Sequence, residues 1–382
     1  MTQSAEARVS SRGPQSPLDA EWRVRAASAQ ESVLPSGRVV VSCPAPFGVG
    51  GLGRHLSEIA AALDRRGEQS VCVCESAPRS QSQSPRSPAR RGPVTALAPF
   101  VRFSPAWRMW AASAGFDADA ARALPRAEHL IAFNGTAAAQ FRAARGAGFQ
   151  SLSLVAANSH YLQVVRQHAR AYREYPIERP WGTRLLRRNL LEYARADRIF
   201  VASRYVRESF SEQGFPDSVL QLFPLTPDPR FTPGAAPRSE TFDIVYVGSL
   251  TVHKGVPLLV DAVRRLPYQD IRLVLVGGWG TRGMRRFIER SCAADGRISV
   301  QPGDPLAHLR AARLCVHPAY EDGFAYAPAE ALACGIPVIV SADTGMKDLI
   351  DPGRNGLVLP TGDRAALSET IEAAYRGELL GG

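Results

Sequence analysis

From Phe242 to Ala342 the chain repeats one pattern: a short aliphatic run, then a segment with apolar residues three and four apart, then another run. "FDIVYVG", "IRLVLVGG", "RISVQPG", "LCVHPA" and "PVIVSA" read as buried strands. "VPLLVDAVRRL", "RGMRRFIERSCAA", "LAHLRAA" and "PAEALAC" read as the helices between them. Alternation of this kind leaves little choice of architecture: each helix carries the chain back to the starting edge, so the strands pair in parallel and helices cover both faces.

The first half repeats this pattern. "GRVVVSC" is a strand; Leu56, Ile59, Ala60 and Leu63 fall at helical spacing, the helix closes near Gly67, and "QSVCVCE" supplies the next strand. "HLIAFNG", "SLSLVAA" and "RIFVAS" continue the series. Proline-rich "FPLTPDPRFTPGAAP" (223–237) then breaks it and reads as a linker. A chain of 382 residues is too long for one ordinary core. The expected fold class is α/β, with two Rossmann-like domains facing each other across a cleft. Their expected bounds are 38–225 and 226–382. Residues 1–37, polar and without periodicity, are expected to be a disordered leader, and Ser/Pro/Arg-rich 76–92 a mobile surface loop. Ligands of open parallel sheets bind beyond the carboxyl ends of the strands, which places the site in the cleft.

Composition narrows the partners. No apolar run is long enough to span a bilayer, and the N-terminus lacks the apolar centre of a secretory signal, so a cytoplasmic protein is expected. The formal charge is +10, but its arginines are spread over both halves without a nucleic-acid motif, so nucleic acid is not an expected partner. Phosphorylated small molecules and an anionic membrane surface remain. Cys72 and Cys74 alternate across a strand, which suits burial rather than joint metal ligation; no metal site is expected. Lysine occurs only at Lys254 and Lys347, which singles out the Lys254 ammonium in a chain otherwise supplied with arginine.

Two constellations could hold phosphate. "PFGVGGLGRH" has glycines at Gly48, Gly50 and Gly53 between a strand and a helix, and Glu75 ends the next strand about twenty residues on, as in a dinucleotide fold. That supports one alternative, an NAD-dependent oxidoreductase, although "PAPF" displaces the glycines from the strand end. In the second half, "YVGSLTVHKG" ends a strand at Gly248 and sets Lys254 before a helix, an anion-binding arrangement. In "DGFAYAPAEALACGIPVI", Asp322 lies in a polar turn, and Glu330 is expected in the opening turn of a helix that starts near Pro328. Two carboxylates flanking free amides suit a ligand with hydroxyls at both ends and phosphates between.

With "VGSLTVHKG" upstream and "TGMKDLIDPGRNGLVLPTGD" downstream, that stretch resembles the retaining GT-B glycosyltransferases of family four, over about Arg38 to Arg376. The resemblance implies a hexosyltransferase-type enzyme in cell-surface polysaccharide or glycolipid synthesis. Its donor is a nucleoside diphosphate sugar, its acceptor a glycan, lipid-linked or small-molecule hydroxyl, and no cofactor is needed. It implies that Glu330 holds the ribose, Asp322 meets the transferred sugar, Lys254 pairs with the diphosphate, and the amides near Gly323, Phe324 and Ala325 assist. Gly50 and Gly51 approach the donor phosphate from the other domain, and Gly248 and Ser249 border it. "ANSHYLQ" places His160 in the cleft as a fourth catalytic candidate, beside Asp322, Glu330 and Lys254.

The chain departs from the family in several places. Asp322 stands where glutamate is usual, and neighbouring Glu321 competes for its role. Ser249 stands where an arginine usually meets phosphate, with His253 and Arg282 as candidate substitutes. A non-catalytic nucleotide-sugar-binding relative is the remaining alternative, with a sugar epimerase behind it. "DAD" at Asp117–Asp119 reads as a helix cap, and His317 as strand-end packing. "FVRFSPAWRMW" and "WGTRLLRRNLLEYARADR" read as core plus solvated arginine, or as peripheral contact with the inner face of an anionic membrane.

Overall fold

The computed structural model describes residues 18, 20–76, 86–88, 105–178, 183–234 and 240–379. Within them the two strand series form two all-parallel sheets. The first contains β1 (Val39–Cys43), β2 (Ser70–Cys74), β3 (Arg86–Pro88), β4 (His129–Phe133), β5 (Ser151–Ala156), β6 (Arg198–Val201) and β7 (Leu220–Leu222), in the order 3-2-1-4-5-6-7. The second contains β8 (Phe242–Val247), β9 (Ile271–Val276), β10 (Ile298–Val300), β11 (Leu314–His317), β12 (Val338–Ser341) and β13 (Gly356–Leu359), in the order 10-9-8-11-12-13. Both orders reverse beside the first strand of the sheet, between β1 and β4 and between β8 and β11. Chains leave such switch points in opposite directions and open a crevice.

Helices cover both faces of each sheet, so the central strands carry no polar face. Val39, Val40, Val41 and Cys43 are all buried, as are Cys72, Val73 and Cys74. β3 falls inside the stretch expected as a loop, whose other residues after Ser76 lie outside the described ones. β7 and β13 are not among the strands expected from the sequence.

Two expectations need correction. Residues 20–33 of the expected leader form a helix, Ala20–Val33. It has no apolar stripe, which is why periodicity misses it; polar contacts help fix it instead. Gln30 Nε2 donates to Glu58 Oε2 (3.0 Å) and to the Pro224 carbonyl (2.7 Å), and Arg23 donates to the Pro227 carbonyl (2.8 Å). The proline-rich segment read as a linker runs between the last strand of the first sheet and the first of the second, and it packs down, with Phe223, Leu225 and Phe231 buried. Asp117 does cap a helix, but not its own. It sits within Pro105–Arg122 and accepts the Ala139 and Gln140 amides (2.7 and 3.0 Å) of the neighbouring helix Ala138–Gly146.

Candidate functional site

The loops leaving β1, β8 and β11 line one cavity of about 610 Å³ between the sheets. Its first wall is the glycine loop. Gly48 N donates to the Gly53 carbonyl (2.9 Å), folding the loop back on itself. A Cβ at Gly53 would lie 2.0 Å from the Pro46 carbonyl oxygen, so no side chain fits there. Gly50, at φ 65°, opens the helix Gly50–Arg65, and the space beside Gly50 and Gly51 is clear of other atoms. Val49 supplies no side-chain cap, so the leading amides of this helix face the cavity as donors without a side-chain acceptor.

The second wall comes from the other sheet. Gly248 and Ser249 follow β8, and Lys254 precedes the helix Val256–Arg264. Gly255 holds that turn at φ 73°, where a Cβ would lie 1.9 Å from the Pro318 carbonyl oxygen. The close approach presses the Lys254 loop against the exit of β11. Lys254 Nζ donates to Asp322 Oδ2 (2.7 Å) and reaches the Glu321 carbonyl (3.4 Å), while His317 Nε2 lies 3.1 Å from the same Oδ2. Burial raises the Asp322 carboxyl, but Lys254 and His317 outweigh it and hold the group well below the usual aspartate range. Asp322 is therefore an anion locked in place.

Glu330 lies on the helix Tyr326–Ala333, which begins after Ala325 at φ 65°, the one non-glycine residue with positive φ among the described residues. Glu330 is in the second turn, not the opening turn expected from Pro328. Burial raises its carboxyl, and Arg54 opposes that shift. Arg54 comes from the glycine-loop helix across the cleft. Its Nη1 donates to Glu330 Oε1, and its guanidinium carbon sits 4.0 Å from the centre of the Tyr326 ring.

A second cavity of about 430 Å³ adjoins the first, lined mostly by the first sheet's half with His253, Lys254 and Glu321 from the other, and the two share Leu52, Ala157, Asn158 and Lys254. Glu75, Asn134, Asn189 and Glu321 give it polar groups, and Met109, Phe116 and Phe133 give it an apolar side. Gly135 and Thr136, on its wall, lead into the helix Ala138–Gly146, whose N-terminal amides are already occupied. Glu192 accepts from the Ala137 and Ala138 amides (2.8 and 3.1 Å), Asp117 takes the next two, and Arg188 bridges the carboxylates. Burial pushes Glu192 up to about 7. Among the described lining residues, Lys254 is the one lysine or arginine in this second cavity.

The sequence candidates thus divide. Gly50, Gly51, Gly248, Ser249, Lys254, Asp322, Phe324, Ala325 and Glu330 line the larger cavity. Gly323 does not; it lies behind the wall, where a Cβ would be 2.2 Å from the Ala157 carbonyl oxygen, and its own carbonyl accepts from Ser203 Oγ (2.7 Å). His160 also stands apart. It precedes the helix Tyr161–Glu174, and its ring packs on Tyr193 and Phe210, 4.9 and 5.0 Å between centres. Burial lowers it to about 4, so it is a neutral core histidine rather than a cleft residue. Glu75 lines the second cavity and Gly50 the first, while Gly48 and Gly53 line neither, so the glycines and the acid of the dinucleotide reading do not share one cavity. Glu321 does not replace Asp322; it accepts from the Ser159 amide and Asn158 Nδ2, both at 2.9 Å. His253 lines only the second cavity, and Arg282 lines neither.

Sequence reasoning missed Arg54, Tyr326 and the contact of His317 with Asp322. The signal for Arg54 was its spacing: four residues after Gly50 is one helical turn, which keeps it on the same face.

Comparison with known proteins agrees with this fold. Sucrose-phosphate synthase from Thermosynechococcus elongatus superposes with a TM-score of 0.65 at 20% identity, over 90% of each chain. Anabaena HepE, solved in complex with UDP-glucose, superposes with a TM-score of 0.63 at 16% identity, over 89% of this chain and 90% of that one. Identities this low bear on the fold alone, which is GT-B. A D-inositol 3-phosphate glycosyltransferase from Xylanimonas cellulosilytica is 30% identical over 138 residues, 34% of this chain and 33% of that protein. An O-antigen chain mannosyltransferase B from Escherichia coli is 31% identical over 136 residues, 33% of this chain and 35% of that one. The chain thus spans about a third of the length of these curated relatives. Two family models, Glycosyltransferase Family 4 over residues 49–229 and Glycosyl transferases group 1 over residues 231–380, follow each other along most of the sequence, and the chain belongs to that family of glycosyltransferases.

Proposed function

We propose that the protein transfers a sugar from a nucleoside diphosphate sugar to an acceptor hydroxyl, with retention of configuration. One observation carries this reading: Lys254, Asp322, Glu330 and the amide-led glycine loop all line one cavity, drawn from both halves of the chain. In this scheme Glu330 binds the ribose hydroxyls and Asp322 those of the sugar. Lys254 and the glycine-loop amides stabilise charge that builds on the departing diphosphate, and this electrostatic stabilisation contributes most to the rate. The bond from the anomeric carbon to the phosphate oxygen breaks, a bond to the acceptor oxygen forms on the same face, and the acceptor proton passes to the leaving phosphate. No protein nucleophile takes part, and His160 has no role in the step.

The acceptor enters the second cavity, which meets the first at Asn158 and Lys254. Its described lining offers carboxylates and amides rather than free cations, which suits an uncharged hydroxyl-bearing acceptor with an apolar part. Synthesis of a surface glycan or glycolipid fits, as in the O-antigen relative. No helix among the described residues is long and apolar enough to cross a membrane. Peripheral contact with an anionic membrane instead falls to Trp107 and Trp110, 41% and 39% exposed, to Arg184 over the Trp107 ring, and to the exposed Leu190 and Leu191 further along the helix that carries Arg184. The deciding experiment is a titration with UDP-, GDP- and ADP-sugars, followed by mass analysis of transfer and hydrolysis products. One nucleotide class is expected to bind and turn over, with Glu330→Ala losing activity by orders of magnitude; near-normal turnover in that variant removes the site assignment. Tight donor binding without turnover on any acceptor would favour a binding protein.

A further inference from the structure

The cavity's described lysines and arginines are Lys254, Arg54 and Arg230. Lys254 is held 2.7 Å from Asp322, and Arg230, at the rim, is 2.5 Å from Asp304. A diphosphate leaving with an extra charge calls for more than one shared lysine. The place beside the β8 glycine where the resemblance puts an arginine holds Ser249, whose side chain is uncharged. Arg54 stands on the opposite wall, one turn into the helix that Gly50 and Gly51 open, and its side chain is 25% exposed. Its present partner is Glu330, the carboxylate assigned to the ribose, and its guanidinium lies close enough to the Tyr326 ring to be held there without an ion pair.

We propose that Arg54 is the second diphosphate-binding cation of this site and stands in for the arginine that Ser249 replaces. Its resting partners are Glu330 and Tyr326. When ribose hydroxyls take over Glu330, the guanidinium is released to the diphosphate, in line with the amides of Gly50 and Gly51. The exchange keeps Glu330, 3% exposed, from being left as an unpaired buried charge before the donor arrives. It also ties recognition of the nucleoside to recognition of the phosphates, because the same carboxylate serves both states. The inference rests on the donor-site reading above.

The test compares a nucleoside diphosphate with its nucleoside on wild type, Arg54→Ala and Arg54→Ala/Ser249→Arg, using UDP, GDP and ADP with uridine, guanosine and adenosine, by calorimetry and saturation-transfer NMR. Arg54→Ala is expected to weaken the diphosphate by about 10- to 100-fold, the loss from removing one charge-assisted partner, while nucleoside affinity holds or rises. Ser249→Arg in that background is expected to recover most of the loss. Unchanged or tighter diphosphate binding in Arg54→Ala overturns the proposal and makes Arg54 a simple plug. Equal loss for nucleoside and diphosphate overturns it too, as a structural effect. Arg54→Gln, which keeps a hydrogen bond to Glu330 without the charge, repeats the comparison if Arg54→Ala fails to fold. Should wild type bind none of the diphosphates, the donor-site reading itself fails, a result distinct from any of these.

Discussion

Lys254 Nζ lies 2.7 Å from Asp322 Oδ2, on a side chain from the turn before one helix meeting a side chain from the turn before another. His317 reaches the same oxygen, so a single carboxylate atom fixes the ammonium at the seam of both cavities. Lys254→Ala is expected to lower transfer by about 10²- to 10³-fold, as for loss of one preorganised donor at a developing charge. Lys254→Arg should recover only part, since a planar fork cannot replace a compact ammonium in that space. Initial rates at saturating donor, with thermal melts to verify folding, check both.

Glu58 ties the helix before the first strand, the proline-rich strap and the second half to one carboxylate. It accepts from Tyr326 Oη (2.7 Å), from the amide and hydroxyl of Thr226 (both 2.9 Å) and from Gln30 (3.0 Å). Burial raises its carboxyl, and these donors oppose the shift. Glu58→Ala should cost about 2 to 3 kcal/mol in chemical denaturation, because several buried donors lose their acceptor together. Glu58→Gln should cost less; equal costs would show that shape rather than hydrogen bonding matters there.

Glu75 is exposed and lines only the second cavity. Glu75→Gln is expected to raise the acceptor KM several-fold while donor affinity stays within about twofold, the pattern of lost ground-state binding. A matched pair of acceptors, one phosphorylated and one not, should show transfer to the unphosphorylated member in wild type. Measured donor affinity shifting instead would place Glu75 on the donor path.

The architecture could be read from the sequence because parallel strands buried on both faces leave uninterrupted aliphatic runs such as Val39–Val41, and the helices between them keep a strict spacing. Asp322, Lys254 and the Gly50–Gly51 pair were legible as candidates for a related reason: they sit where strands end and helices begin, positions that sequence marks with glycine and proline, whereas Glu330 lies one turn further into its helix than Pro328 suggests. Arg54 was not, because its significance lies in a contact across the cleft 276 residues away in sequence. His160 misled, since a histidine after a strand looks the same in sequence whether it faces a cleft or, as here, Tyr193 and Phe210. The helix Ala20–Val33 was invisible because the face it buries, Trp22, Ala26, Gln30 and Val33, mixes small, polar and apolar residues and so leaves no apolar stripe to read.

His160 should shape acid stability rather than turnover. Its folded value, lowered by burial to about 4, lies below the ordinary histidine value of about 6.5, so the unfolded chain binds the proton more tightly. The contribution of the neutral ring is complete above about 6.5 and is lost as pH falls towards 4. His160 Nδ1 accepts from the Leu162 amide (3.4 Å) at the start of its helix, and His160→Asn, which keeps an acceptor there, should therefore narrow its stability gap to wild type across that window, read as melting temperature against pH. A gap that is constant with pH would contradict the assignment.

Trp107 and Trp110 meet edge to face, 5.8 Å between centres, and Arg184 lies 4.0 Å over the Trp107 ring. Co-sedimentation with vesicles of mixed anionic and zwitterionic lipid should pull the protein down, and a Trp107→Ala/Trp110→Ala/Leu191→Ser variant should remain in the supernatant. Neutral vesicles alone should capture little of either. Equal pelleting of both proteins on anionic vesicles would remove this face from the membrane reading.

The carbonyls of Pro224 and Pro227, which Gln30 and Arg23 grasp, belong to the covalent strap that joins the two sheets. A segment that precedes the first strand therefore clasps the strap from the side of the first sheet. Cutting the chain back to Val39 would leave both cavities lined by the same residues yet remove these ties on the connection between the halves that Arg54 and Glu330 bridge.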